Sequence, residues 1–262
     1  MQIRMIVTDL DGTLLRDDKT ISTRTLTALK LCREKGLKIA YATARGHSST
    51  ILAPSEHFDG CVRINGANAF IGDTLIYERL MQTESVRGLL VAAENAGVMI
   101  VVESGSKHYA NFDVTEKWSW ITHYEPADFN VLDIQTEKIY AVIDSPEDAD
   151  VIRNHLSDDL YLYVSRDNFA MVMHNEAIKS KAVEALAAHW DIELNEVVAF
   201  GDDTNDIDML EHCGIGVAME NALDEVKAAA DQICGTNEDD GIAKWLEENV
   251  LREAGCGESD SR

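Results

Sequence analysis

Two apolar runs far apart in the chain each end in a cluster of carboxylates. Ile3 to Thr8 leads into Asp9-Leu10-Asp11-Gly12-Thr13-Leu14, and Val197 to Phe200 leads into Gly201-Asp202-Asp203-Thr204-Asn205-Asp206. A short, continuous apolar run reads as a strand buried on both faces, as in a parallel sheet covered by helices. Open sheets of that kind bind ligands at the carboxyl ends of their strands, which is where both clusters stand. Residues two apart in an extended chain point the same way, so Asp9 and Asp11 share one side. Gly12 is free to take the unusual backbone of a sharp exit turn.

The segments around these runs alternate between strand and helix. Ser22 caps a helix carrying Leu26, Leu29 and Cys32, which Gly36 stops. Lys38 to Thr43 and Cys61 to Ile64 read as further strands, with a short helix around His47 to Leu52 between them. From about Thr83 the texture changes to a helix (Val86, Leu89, Leu90, Ala93, ended by Gly97) followed by strands at Met99 to Glu103, Lys138 to Ile143, Tyr161 to Ser165 and Ala170 to His174. Ser145 and Pro146 are a cap and first-turn pair for a helix reaching Leu156. The first rhythm then returns, with a helical stripe of Val183, Leu186, Ala187 and Trp190, strands at Val197 to Phe200 and Ile215 to Met219, and a helix over Ala222 to Ala230. The pattern predicts an α/β protein: a doubly wound parallel-sheet core at 1–81 and 178–262, split by an inserted α+β module at 82–177. The last residues, EAGCGESDSR, are small, polar and acidic and read as a frayed tail.

The balance of 47 acidic against 23 basic residues gives a formal charge of −24. That field repels a nucleic-acid backbone and argues against such a partner. It repels a phosphorylated metabolite too, so a phosphate site here needs a local cation to reverse the potential. Cys32, Cys61, Cys213, Cys234 and Cys256 are scattered and odd in number, without CxxC spacing, and read as reduced thiols rather than a disulfide framework or a zinc site. No segment approaches the roughly 20 apolar residues of a spanning helix, and the opening MQIRMIVTDL carries no signal-peptide h-region, which predicts a cytoplasmic protein with no membrane partner. The sequence specifies no oligomeric state.

Two acidic clusters at two strand ends point to a hard cation, since magnesium takes a few carboxylate oxygens together with waters and a phosphate. A calcium loop does not fit. With Asp202 in its first position, Ile207 stands where glycine is required and Cys213 where a bidentate glutamate belongs. Ala42-Thr43-Ala44-Arg45 closes another strand with a hydroxyl and backbone N–H groups suited to a phosphoryl oxygen. Lys179, at the start of the Val183 helix, is a compact cation of the kind the acidic surface otherwise lacks; Lys181 is close enough to compete for that role, but the spacing to Leu186 favours Lys179.

These four segments, in this order and with a module inserted between the second and third, resemble the haloacid dehalogenase superfamily and specifically its Cof-type class IIB phosphatases. Asn65-Gly66-Ala67 is similar to the family's NGA segment, and Val217-Ala218-Met219-Glu220-Asn221-Ala222 to its VAMxNA. The resemblance covers the chain except its tail. It departs at Ala44, where the family has glycine in TGR, and at Ser180, where glycine is common after the lysine.

The resemblance implies a magnesium-dependent phosphatase acting on small phosphomonoesters, sugar phosphates first and nucleotide or cofactor phosphates second. Asp9 matches the nucleophile that forms an aspartyl-phosphate, and Asp11 the acid and base serving the leaving group and the hydrolytic water. Asp9, the carbonyl of Asp11, and Asp202 match magnesium ligands, with Asp206 a farther partner. Thr43, the Ala44 amide, Lys179 and Asn205 match groups that hold the phosphoryl oxygens. The 82–177 module matches a cap over the strand ends that excludes water and selects the leaving group. Having Asp11 two residues after Asp9 argues against a dehalogenase. A phosphomutase of the phosphomannomutase type and a retired, ligand-binding member of the fold are the alternatives. Arg45, Asn65, Lys107, His108 and His174 are candidates either for contact with the organic part of the substrate or for structural roles.

Overall fold

The computed structural model of the protein describes residues 2–105, 107–118, 121, 123–164 and 168–252. The chain divides into two compact units, one of Met1–Asn65, Ala69–Ile76 and Lys179–Arg262 and the other of Gly66–Asn68 and Tyr77–Ile178. Ser165, Cys256 and the rest of the acidic tail lie outside the described residues.

The first unit begins with β1 (Met5–Thr8), all four residues buried, and α1 (Thr23–Glu34). The Ser22 side chain accepts from the Thr25 backbone N–H at 3.0 Å and so caps α1, and Gly36 follows the helix at φ 91°. Next come β2 (Lys38–Ala42), α2 (Ser49–Leu52), β3 (Gly60–Arg63), β4 (Asn68–Ile71) and β5 (Thr74–Glu78). The helix expected around His47 to Leu52 is thus confined to its last four residues, and β4 and β5 had no counterpart in the sequence pattern.

The second unit, entered at Tyr77 within β5, holds α3 (Thr83–Asn95), β6 (Ile100–Ser104), β7 (Lys107–Ala110), β8 (Glu125–Pro126), β9 (Lys138–Val142), α4 (Pro146–Asn154), β10 (Leu160–Val164) and β11 (Phe169–His174). Its six strands run in the order β10-β11-β9-β6-β7-β8. All neighbours are antiparallel except β7 and β8. Ser145 and Asp148 form a reciprocal capping box at the start of α4, with Pro146 in the first turn.

One face of this sheet carries Ile100, Val102, Ile139, Ala141, Ala170 and Val172, packed with Val86, Leu89, Leu90 and Ala93 of α3 and Ile152 of α4. Alternation along each strand sends the other residues to the opposite face. There Val101 and Tyr140 pack with Val114, Ile121, Trp118 and Phe169. Beside them a charged group is buried: Glu103 and Lys138 are cross-strand partners with Nζ to Oε2 at 3.7 Å, and Tyr140 donates to the same Glu103 oxygen at 2.5 Å.

The chain returns to the first unit with α5 (Lys179–His189), β12 (Val197–Gly201), α6 (Ile207–His212), β13 (Ile215–Ala218), α7 (Asp224–Ala229), β14 (Gln232–Ile233) and α8 (Gly241–Leu246). Sheet order is β14-β13-β12-β1-β2-β3-β4-β5. β12 and β2 both pair parallel to β1, with Thr8 level with Phe200 on one side and Tyr41 on the other. β1 is thus the point where sheet order reverses, the switch point at which open parallel sheets form a crevice. Residues just past Thr8, Gly201 and Ala42 leave the sheet at one end. Among the described residues no helix is long and apolar enough to cross a membrane. Cys32, Cys61, Cys213 and Cys234 are free thiols.

Candidate active site

Asp9 is the first residue past β1, and its backbone N–H still donates to the Phe200 carbonyl at 2.9 Å. Its carboxylate is buried and meets Lys179, the first residue of α5, whose Nζ donates to Asp9 Oδ1 at 2.6 Å and to Asp206 Oδ1 at 2.6 Å. Of the two lysines in competition, Lys179 is the one brought to the carboxylates; Lys181 lies half-buried two residues on. Asp206 is fully buried, and its second oxygen accepts from the backbone N–H groups of Asp202 and Asp203 at 3.0 and 3.2 Å. A Cβ at Gly201 would stand 2.4 Å from that of Asp206, so only glycine allows this carboxylate to fold back over the strand end.

Asp202 accepts from the Thr13 hydroxyl at 2.5 Å. Gly12, at φ 80°, brings its backbone so close that a Cβ would lie 2.3 Å from Asp202 Oδ2. The glycine of the first cluster therefore serves two purposes: it takes a left-handed backbone and leaves room for the carboxylate of the second.

Asp11 points elsewhere. It is held by Arg45 (Nε to Oδ2 2.5 Å, Nη2 to Oδ1 2.7 Å) and by Lys19 (Nζ to Oδ1 2.8 Å). Thr43 is buried at the end of β2, and its hydroxyl accepts from the Arg45 N–H at 3.1 Å. Ala44 is half-buried between them. Asn205 donates from Nδ2 to Asn65 Oδ1 at 2.8 Å.

The remaining candidates lie in the second unit. Lys107 is paired with Glu125 at 3.1 Å. His174 Nδ1 accepts from the Glu176 N–H at 3.0 Å. His108 is half-buried, and burial lowers its pKa, with Glu103 opposing and Lys138 adding to the effect.

Burial dominates the electrostatics. It drives the Asp9 carboxyl well above the usual carboxylate range, a shift that Lys179 opposes and the charges of Asp206 and Asp202 reinforce. Asp202 is pushed up to about 7, chiefly by burial, with Thr13 opposing and Asp206 adding to the rise. Desolvation lowers the Lys179 ammonium, but Asp206 and Asp9 outweigh it and hold the group charged. Asp11 differs: burial raises it, yet Arg45 and Lys19 together bring it below the ordinary value.

Asp9, Asp202 and Asp206 each present one carboxylate oxygen, and these oxygens lie within 4.8 Å of one another. Three acids share one ammonium, and two of them are pushed toward their neutral forms. A hard divalent cation with oxygen ligands removes that conflict, so the donor set fits one.

Sequence reasoning assigned no role to Thr13, Lys19 or the Asn221 side chain, whose Nδ2 donates to the Gly12 carbonyl at 2.7 Å. Thr13 and Asn221 stand inside segments already singled out, which is the signal that points to them. Lys19 reaches Asp11 from a turn at φ 66°, and nothing in the local sequence marks it.

Residues 6–246 match the family model of haloacid dehalogenase-like hydrolases. A putative phosphatase of Haemophilus influenzae is 32% identical, the alignment covering 95% of this chain and 98% of the relative. The Bacillus subtilis 5-amino-6-(5-phospho-D-ribitylamino)uracil phosphatase YitU is 30% identical, covering 93% and 96%. The subclass IIB sugar phosphatase BT4131 superposes with a TM-score of 0.80 at 27% identity, covering 94% of this chain and 98% of that one. A parallel sheet with its carboxylates at the switch point, matched over nearly its whole length by these proteins, belongs to the haloacid dehalogenase-like hydrolases and, within them, to the subclass IIB phosphatases.

Proposed function

We propose that this phosphatase hydrolyses small, polyhydroxylated phosphomonoesters, sugar phosphates foremost, through an aspartyl-phosphate on Asp9 with magnesium as its cofactor. The observation that carries the reading is the convergence of Asp9, Lys179, Asp202 and Asp206 at the β1 switch point. Asp9, the Asp11 carbonyl and Asp202 are assigned as magnesium ligands. Asp206, whose oxygens are taken by Lys179 and two backbone N–H groups, supports them from behind. Bound magnesium supplies positive charge that keeps Asp9 ionised and offsets the charge of the phosphoryl oxygens.

The protein's own groups carry the steps. An Asp9 oxygen attacks phosphorus, and the bond to the substrate alcohol breaks as Asp11 gives that oxygen its proton. Asp11, now ionised, takes a proton from water, which attacks the same phosphorus. Phosphate leaves, and the Asp9 carboxylate is restored. Lys179, the Thr43 hydroxyl, the Ala44 N–H and the Asn205 amide hold the phosphoryl oxygens, and Arg45 binds beside them. The 82–177 module is assigned selection of the alcohol. Two relatives support the substrate class, one named for a phosphoribityl compound and one for sugar phosphates.

Turnover of 4-nitrophenyl phosphate and of a panel of sugar phosphates, with magnesium and with a chelator, tests the proposal. Asp9→Asn should abolish phosphate release, and the chelator should do the same for the unaltered protein. Full magnesium-dependent activity in Asp9→Asn would end it. Transfer of the phosphoryl group to a second hydroxyl without free phosphate would point to a mutase instead.

A further inference from the structure

Three consecutive residues after β3 have left-handed backbone: Ile64 at φ 51°, Asn65 at φ 50° and Gly66 at φ 99°. Glycine takes that conformation freely and asparagine tolerates it, but a β-branched isoleucine there is an outlier. Such strain persists only where the surroundings over-determine it. Here the surroundings are the segments that carry the phosphoryl-binding groups. The Ile64 N–H donates to the Arg45 carbonyl at 3.0 Å and the Asn65 N–H to the Thr43 carbonyl at 2.9 Å, so the turn braces the end of β2 through its backbone. Gly66 abuts the residue before Lys179, since a Cβ on it would fall 2.2 Å from the Ile178 carbonyl oxygen.

The side chain of the middle residue makes the third connection. Asn65 is 3% exposed, and its Oδ1 accepts from Asn205 Nδ2 at 2.8 Å. A carboxamide oxygen only accepts, so its partner must present the NH₂ end. That end has two hydrogens. One is committed to Asn65, which fixes the flip of the Asn205 amide and leaves the second N–H as a donor of set direction.

From this geometry we infer that Asn65 is a positioning residue: it never touches the substrate but orients Asn205 so that its remaining N–H meets a phosphoryl oxygen. The inference rests on the reading of Asn205 as a phosphoryl-binding group. It also gives a reason for asparagine at this position beyond the backbone. Glycine would satisfy the left-handed turn as well, and would leave Asn205 free to rotate.

That difference supplies the test. Asn65→Gly keeps the turn and its two backbone hydrogen bonds and removes the side-chain oxygen that accepts from Asn205. With 4-nitrophenyl phosphate as substrate, Asn65→Gly and Asn205→Ala should each lower kcat/KM by about tenfold, the effect of one well-placed hydrogen bond. The double variant should be no worse than Asn205→Ala alone, and the melting temperature of Asn65→Gly should move little. A double variant whose loss is the product of the two single losses would overturn the inference, because Asn65 would then act independently of Asn205.

A second measurement needs neither turnover nor a variant. In the unaltered protein one Asn205 side-chain amide proton should exchange with solvent more slowly than the other by NMR. Equally fast exchange of both would overturn the inference. Should the protein release no phosphate from any ester, the functional reading falls, and the amide exchange still decides whether Asn65 orients Asn205.

Discussion

Arg45 grips Asp11 with two donors, Nε at 2.5 Å from one oxygen and Nη2 at 2.7 Å from the other. Burial raises the Asp11 carboxyl, but the grip, helped by Lys19, brings it below the ordinary carboxylate value. In this arrangement Asp11 is ionised, ready to take a proton from water and unready to give one to a leaving alcohol. In the proposed reaction the guanidinium therefore has to loosen for the first step and is well placed for the second. Arg45→Ala should raise KM, and for an alkyl phosphate it should move the alkaline limb of the pH–rate profile to higher pH, because Asp11 then keeps its proton longer. A raised KM with an unmoved limb would mean that Arg45 binds substrate and leaves Asp11 alone.

Asp202 gives the protein without cation a pH-dependent stability. Its folded value of about 7 lies above the ordinary 3.8, and Asp9 is shifted the same way. Between those values the folded state holds more protons than the unfolded chain, so stability is greatest at the acid end and falls as pH rises through the window. The chelator-treated protein should melt at a higher temperature near about pH 5.5 than near about pH 7.5. Magnesium, assigned above to the ionised carboxylates, should raise the melting temperature most at the higher pH. Melting curves independent of pH in the chelated protein would refute this.

The buried pair of Glu103 and Lys138 gives a separate handle on the second unit. Both side chains are nearly inaccessible, at 6% and 4% exposure, and the ammonium also stands 4.4 Å from the Tyr140 ring centre. Lys138→Met removes the cation and strands the carboxylate, which should cost about 3–5 kcal/mol. Replacing Glu103 by Gln in the same chain should recover much of that loss, because no uncompensated charge then remains. Urea titrations of the single and double variants measure both effects; a double variant less stable than the single one would show that the pair is not what holds this face.

Much of the first unit was legible because buried parallel strands are written as uninterrupted apolar runs. β1, β2 and β12 stand within one or two residues of their expected bounds. Ser22 and the Ser145-Pro146 pair worked as start signals because a cap depends on its near neighbours alone. The strands that escaped notice lack such writing. β5 is mostly exposed, without alternation, and β8 and β14 have two residues each. Among site residues, the carboxylates were visible because they crowd at strand ends. The turn of Asn65 toward Asn205 was not, because it joins two segments through a pairing that only the folded sheet creates. Lys19 was hidden for a different reason: it reaches Asp11 from only eight residues away, through a left-handed turn that no glycine or proline announces.

Register along β1 has a consequence for the chain as it is made. Thr8 sits between Tyr41, which follows it closely in synthesis, and Phe200, which is added late. Asp9 therefore emerges from the ribosome long before the strand that completes its surroundings. Until β12 and the cluster after it arrive, Asp9 has neither Asp202 nor Asp206 beside it, and one edge of β1 remains open to wrong partners. The last third of the chain thus both completes the carboxylate cluster and closes the edge on which an incomplete chain would otherwise aggregate.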